Sequence, residues 1–125
     1  MRNYTYFTIS GDFDPKALAQ RIGVSPMQIL GVGEELPSGE KTEKITLVYG
    51  INGDTEKELT ERMLASVTPL LDKEELLGEL KTELGLTYYL AVGDFKKDEL
   101  LIVPFPVARF LYLSGTFRDL DYHTF

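Results

Sequence analysis

Residues 4–10, Tyr-Thr-Tyr-Phe-Thr-Ile-Ser, alternate two sets of side chains and run directly into Gly11-Asp12-Phe13-Asp14-Pro15. This junction constrains the fold more than any other part of the chain. β-Branched and aromatic residues at period two specify a strand. Phe7 and Ile9 fall on one face, and Tyr4, Tyr6 and Thr8 on the other. The period then changes. Asp14 can accept a hydrogen bond from a free N–H of a first helical turn, and Pro15 sits where its missing N–H does no harm. Leu18 and Ile22 lie one turn apart, and Gly23 suits the left-handed residue that stops such a helix. A strand followed by an amphipathic helix calls for a sheet with a helix layer.

The same alternation of periods continues. Residues 24–43 have no clear period and contain Pro26, Gly31, Gly33, Pro37 and Gly39. A loop of about twenty residues is long for a compact domain, so it is either functional or partly structured. Residues 44–51 read as a second strand, with Ile45, Leu47, Tyr49 and Ile51 on one face, and Asn52-Gly53 as a turn. Thr55-Glu-Lys-Glu58 has the form of a capping box, and Leu59, Met63, Val67 and Leu70 form the stripe behind it. Pro69 should end or kink that helix. Asp72-Lys-Glu-Glu75 looks like a second capping box, opening a helix with Leu76, Leu77, Leu80 and Leu84 inward and Gly85 at its end. Gly78 weakens this helix by about 1 kcal/mol relative to Ala. Strands are expected over 86–92 and 100–103, joined by a hairpin through 92–98. A helix from Pro106 to Gly115 places Val107, Phe110 and Leu111 inward, and 117–124 reads as a last strand. The order is β-α-β-α-α-β-β-α-β. It predicts one α+β domain over 1–125, a two-layer sandwich with a mostly antiparallel sheet and helices on one face.

With 125 residues and 43% hydrophobic content the chain can bury its own core. It contains no Cys, which removes disulfides, thiolate nucleophiles and zinc–cysteine sites and suits a reducing, cytoplasmic setting. The opening residues do not read as a secretory signal, and the longest apolar run, 100–110, is too short to span a bilayer. The net charge is −7, and residues 34–83, with 6 basic and 13 acidic side chains, account for all of it. Nucleic-acid binding needs clustered Lys and Arg along phosphates, and no such cluster exists. An acidic surface instead steers a basic partner, or simply keeps a helix face solvated.

Tyr6-Phe7-Thr8-Ile9-Ser10-Gly11-Asp12-Phe13-Asp14-Pro15 resembles the opening signature of a bacterial domain-of-unknown-function family with a Gly-Asp-Asp-Phe-Asp-Pro motif. The likeness continues through Ile22-Gly23-Val24-Ser25-Pro26 and returns loosely in the paired helices and in Leu120-Asp121-Tyr122. This chain has one Asp fewer in the motif and no Trp. The resemblance implies a bacterial origin and a compact α+β domain, and no particular activity.

No catalytic, metal or cofactor constellation emerges from the residues. Asp12 and Asp14 form a pair without a third ligand or a nearby His, and Gly11, Asp12, Phe13, Asp14 and Pro15 read as a turn and helix cap. His123, the only histidine, shares a strand face with Asp121, the one arrangement that could orient an imidazole. Thr8 and Ser10 could face it if the first and last strands pair, but no nucleophile elbow is present. Gly31-Val32-Gly33 is too short for a dinucleotide fingerprint, and Ser38-Gly39-Glu40-Lys41 is not a P-loop. The alternation gathers Tyr4, Tyr6, Thr8, Thr46 and Tyr89 with Asp119, Asp121 and His123 on the sheet face away from the helices. A Tyr- and Thr-rich platform can bind a ligand or protein, make a dimer contact, or stand half-solvated.

The leading expectation is a non-enzymatic protein-binding domain. It would take a basic partner through this face, the 24–43 loop or the acidic helical pair, as an immunity protein takes a toxin. A small-ligand sensor using the Tyr face is the alternative. A hydrolase using His123 and Asp121 is the second alternative.

Overall fold

The computed structural model describes residues 4–53, 58–93 and 103–116. Its elements are β1 (Thr5–Gly11), α1 (Pro15–Ile22), β2 (Gln28–Leu30), β3 (Ile45–Asn52), α2 (Leu59–Val67), a 3-10 turn (Thr68–Lys73), α3 (Glu74–Leu84), β4 (Thr87–Val92) and α4 (Phe105–Ser114). The expected order holds, and the fold is an α+β two-layer sandwich. The sheet runs β2-β3-β1-β4 with every pair antiparallel. Residues 100–102 of the strand expected over 100–103, residues 94–98 of the hairpin expected over 92–98, the whole strand expected over 117–124 and Thr55 of the first capping box lie outside the described residues, and Val103 is not in a strand.

Local chemistry explains the helix ends. Asp14 accepts from the N–H groups of Lys16, at 3.0 Å, and Ala17, at 3.5 Å, while Pro15 opens α1. Gly23, Gly85 and Gly115 end α1, α3 and α4 in the left-handed region. Pro69 stops α2 at Val67 and starts the 3-10 turn. That turn runs straight into α3, so the expected cap at Asp72 does not form. Asp72 lies inside the turn, and Lys73, which stands at the N-cap, makes no side-chain cap bond.

The main core lies between sheet and helices. Phe7, Ile9, Leu47, Tyr49, Tyr88 and Leu90 from the strands meet Leu18, Ile22, Met63, Val67, Leu77, Leu80 and Phe110 from the helices. The Phe7 ring stands edge-on to Phe110 at 5.2 Å, a favoured aromatic geometry. Leu84, expected inward, is exposed in the last turn of α3.

Gly50 and Gly78 each let a helix backbone approach closely. At Gly50 (φ 62°) a Cβ would lie 2.0 Å from the Ser66 carbonyl oxygen, so α2 rests directly on β3 there. Thr5 Oγ1 donates to the Arg62 carbonyl at 3.1 Å, and Ser66 Oγ donates to Thr5 Oγ1 at 2.8 Å, pinning α2 to β1. The register steps three residues on β3, from Tyr49 to Asn52, against two on β1. This bulge inverts the facing of the strand residues beyond it. Ile51, expected beside Tyr49 in the core, therefore packs on the opposite face. The second close approach, at Gly78, brings two helices together beneath a surface groove.

Candidate functional site

The second face of the sheet carries the residues singled out by alternation. Tyr4 precedes β1, Tyr6 and Thr8 lie on it, Thr46 on β3 and Tyr89 on β4. Thr8 is level with Val48 on one side and Tyr89 on the other. The Tyr4 and Tyr6 rings stand 5.4 Å apart. Ser10 Oγ and Thr46 Oγ1 share a hydrogen bond of 3.1 Å. The described part of the face is assembled as expected, but it is not open. Tyr4, Tyr6, Thr8 and Thr46 are buried, Tyr6 to 3% exposure, and Tyr89 is half-buried.

The cover is the supposed loop. Residues 24–43 contribute the edge strand β2 and then a tongue. Gly33 N–H donates to Thr42 O, Thr42 N–H to Glu34 O and Leu36 N–H to Glu40 O, at 2.8–2.9 Å. Gly39 N–H donates to Leu36 O across the tip, where Pro37 follows Leu36 and Gly39 takes φ 93°. This is a hydrogen-bonded β-turn with Pro at its second position and a left-handed glycine at its fourth. Leu30 and Leu36 pack with Tyr4, Tyr6, Val48 and Ala91 into a second, smaller core. Burial pushes the Tyr6 phenol above its ordinary value, and a hydrogen bond with Ser38 at the tongue tip opposes part of that. Gly31-Val32-Gly33 and Ser38-Gly39-Glu40-Lys41 are thus the base and tip of a tongue. Asp119, Asp121 and His123 lie outside the described residues.

No group of three or more His, Cys, Asp or Glu side chains that could hold a metal occurs among the described residues. Asp14 is committed to its cap, and Asp12 is exposed in the turn. Among the described residues, no helix is long and apolar enough to cross a membrane.

The accessible chemistry lies on the helix layer. A shallow groove of about 960 Å³ runs between α3 and α4, with Glu75, Glu79, Lys81 and Glu83 on the α3 side and Tyr112 and Leu113 on the α4 side. The glutamates are spaced four apart and share one helix face. Glu83 is paired with Arg21 at 2.6 Å. Glu75 and Glu79 make no ion pair with any described residue. Phe105 and Tyr112, seven residues apart on α4, are both exposed. Arg109 lies between them and bridges to Glu74 on α3 at 3.1 Å. The floor forms where α4 approaches Gly78, since a Cβ there would lie 2.6 Å from the Leu113 carbonyl oxygen. Paired carboxylates beside exposed aromatic rings suit guanidinium and ammonium groups, through charge-assisted hydrogen bonds and ring faces. Charge pointed to the acidic helical pair as a whole and did not single out Glu75 and Glu79. Tyr112 was missed, although the inward stripe Val107, Phe110 and Leu111 leaves it pointing out.

Comparison with protein-family models, curated proteins and solved structures finds no match for this chain.

Proposed function

We propose that this is a non-enzymatic protein-binding domain, and that the α3–α4 groove takes a basic segment of its partner. The observation that carries this reading is the groove in which Glu75 and Glu79, which make no ion pair with any described residue, lie with the exposed Tyr112. The charge concentrated over 34–83 supports it, because clustered negative charge accelerates encounter with a basic surface. An immunity-type protein acting in a bacterial cytoplasm and neutralising a basic toxin is one concrete form. The tongue packed on the Tyr face argues for the helix side over the ligand-carrier alternative.

The test uses the full chain and an Arg- and Lys-rich peptide, with an acidic peptide of equal length as control. Amide shifts should centre on Glu75, Glu79 and Tyr112 with the basic peptide alone. They should weaken with salt, because exposed charges are screened over about 8 Å at physiological ionic strength. Glu75→Lys with Glu79→Lys should remove them. Shifts centred elsewhere, or unchanged in the double variant, would overturn the reading.

A further inference from the structure

α3 and α4 run side by side in the same direction. Arg109 bridges to Glu74, a Cβ at Gly78 would meet the Leu113 carbonyl oxygen, and one at Gly115 would meet the Lys81 side chain. The pairs 74–109, 78–113 and 81–115 advance together, so the groove between the helices is straight. The same register sets Tyr112 level with Leu77, between Glu75 and Glu79 along the helix axis. Both walls are helices, whose backbone groups bond internally. They offer a partner no main-chain hydrogen bonds, as a sheet edge would, so a segment pressed against them must satisfy its own backbone. A helix does so, and an extended segment does not. Spacing along the walls agrees. Glu75 and Glu79 are one turn apart, a rise of about 6 Å. Phe105 and Tyr112, at 77% and 74% exposure, are two turns apart, a rise of about 10.5 Å. A helix laid along the groove meets both intervals, with residues at i, i+4 and at i, i+7. A strand repeats on one face at about 6.7 and 13 Å, so it meets the first interval and misses the second.

We propose that the partner's basic segment is an amphipathic α-helix lying along this groove, an inference that rests on the groove reading above. It carries Arg or Lys four residues apart toward Glu75 and Glu79, and apolar residues seven apart toward Phe105 and Tyr112. Charge complementarity decides the occupant. Lys81 also lines the groove, but its ammonium donates to the Leu86 carbonyl at 3.1 Å and sits over the Tyr88 ring, which draws it toward the start of β4. Arg109 is held by Glu74, and Glu83 by Arg21. Glu75 and Glu79 are therefore the carboxylates left to a partner. None of the described helices carries two basic residues four apart, so no described helix of a second copy fits the site. A chain of net charge −7 would also set like charges against each other there.

Two peptides titrated into the full chain test this. In the first, a Lys–Glu lactam on the far face locks a helix that bears an Arg pair four apart and a Leu pair seven apart. The second has the same residues without the bridge, reordered so that Arg and Leu alternate at period two. The locked helix should bind roughly tenfold more tightly, because its backbone is already ordered. Its amide shifts should fall on both walls, at Glu75 and Glu79 and at Phe105 and Tyr112. Phe105→Ala, at an exposed position, should weaken the locked helix about fivefold or more while thermal unfolding stays unchanged. Equal affinity of the two peptides, with shifts still on Glu75, Glu79 and Tyr112, would overturn the helix and leave the groove reading standing. So would a Phe105→Ala protein that binds the locked helix as tightly as the wild type. If neither peptide moved these residues, the groove reading would fall and the helix with it.

Discussion

Replacing Gly78 by Ala sets local propensity against packing. In an isolated helix the change is favourable by about 1 kcal/mol, because Gly loses more backbone freedom on folding. In this protein the new Cβ would sit 2.6 Å from the Leu113 carbonyl oxygen, whereas ordinary contact begins at 3.4 Å. The helices must therefore part by about 0.8 Å. Leu113 contributes backbone here, so no side chain can rotate away. It lies between the buried Leu111 and Ser114, and α4 is held by Val107 and Phe110 in the core. Moving α3 instead would disturb Leu77 and Leu80, which are fully buried. Overpacking of this kind costs typically 1–3 kcal/mol, to which loosened contacts between the two helices add. Net destabilisation of about 1–2 kcal/mol is expected after the propensity gain. For a chain of this length that corresponds to a fall in Tm of roughly 4–8 °C. Urea unfolding should show a lower midpoint with an unchanged slope. A Gly78→Ala protein as stable as the wild type, or more so, would refute the argument and show that α3 and α4 do not meet at this glycine.

Asp14→Ala removes the side-chain acceptor for the Lys16 and Ala17 N–H groups and should lower stability by about 1 kcal/mol in the same urea assay. Burial holds the phenols of Tyr6 and Tyr88 above their ordinary value and that of Tyr49 up to about 12. The folded state therefore keeps protons that the unfolded state releases from about pH 10. That stability is complete below pH 10 and is lost as pH rises toward 12, so phenolate absorbance at 295 nm should appear together with unfolding. Ionisation of these tyrosines in a chain with native circular dichroism would contradict it. Arg62 is buried, and its Nε and Nη1 have no hydrogen-bond partner among the described residues. Arg62→Met, which keeps the length and removes the charge, should raise stability by roughly 1–2 kcal/mol in thermal and urea unfolding.

What the sequence made legible was local. Asp14, Pro15, Gly23, Gly85, Pro69 and Gly115 each act within one or two turns of their own position, and each end was anticipated from residue type. The failures came where a distant segment decided the outcome. Strict alternation put Ile51 beside Tyr49, but Gly50 lets α2 press on the strand through Ser66, and the resulting bulge turns Ile51 over. A glycine inside an apolar alternation was the available sign. Asp72 matches a cap pattern, yet the chain is already helical through the 3-10 turn, so the pattern has no free helix start to serve. Gly78 read as a weak point because sequence offers only its propensity. Its purpose appears when α4, more than thirty residues later, lies against it.

The Tyr-rich face makes the same point for function. Period two correctly gathered Tyr4, Tyr6, Thr8, Thr46 and Tyr89 on one side, but periodicity cannot say what covers a face. The cover comes from Leu36 and Ser38, whose approach to Tyr6 depends on the turn at Pro37–Gly39. Once the tongue lies on the second face of the sheet and the helices on the first, the helix layer still presents the groove lined by Glu75, Glu79 and Tyr112. Association through that groove must weaken as ionic strength rises, because exposed charges are screened. Binding of a basic peptide that held unchanged from low to high salt would show that the glutamates contribute nothing to it, and the groove reading would fall with them.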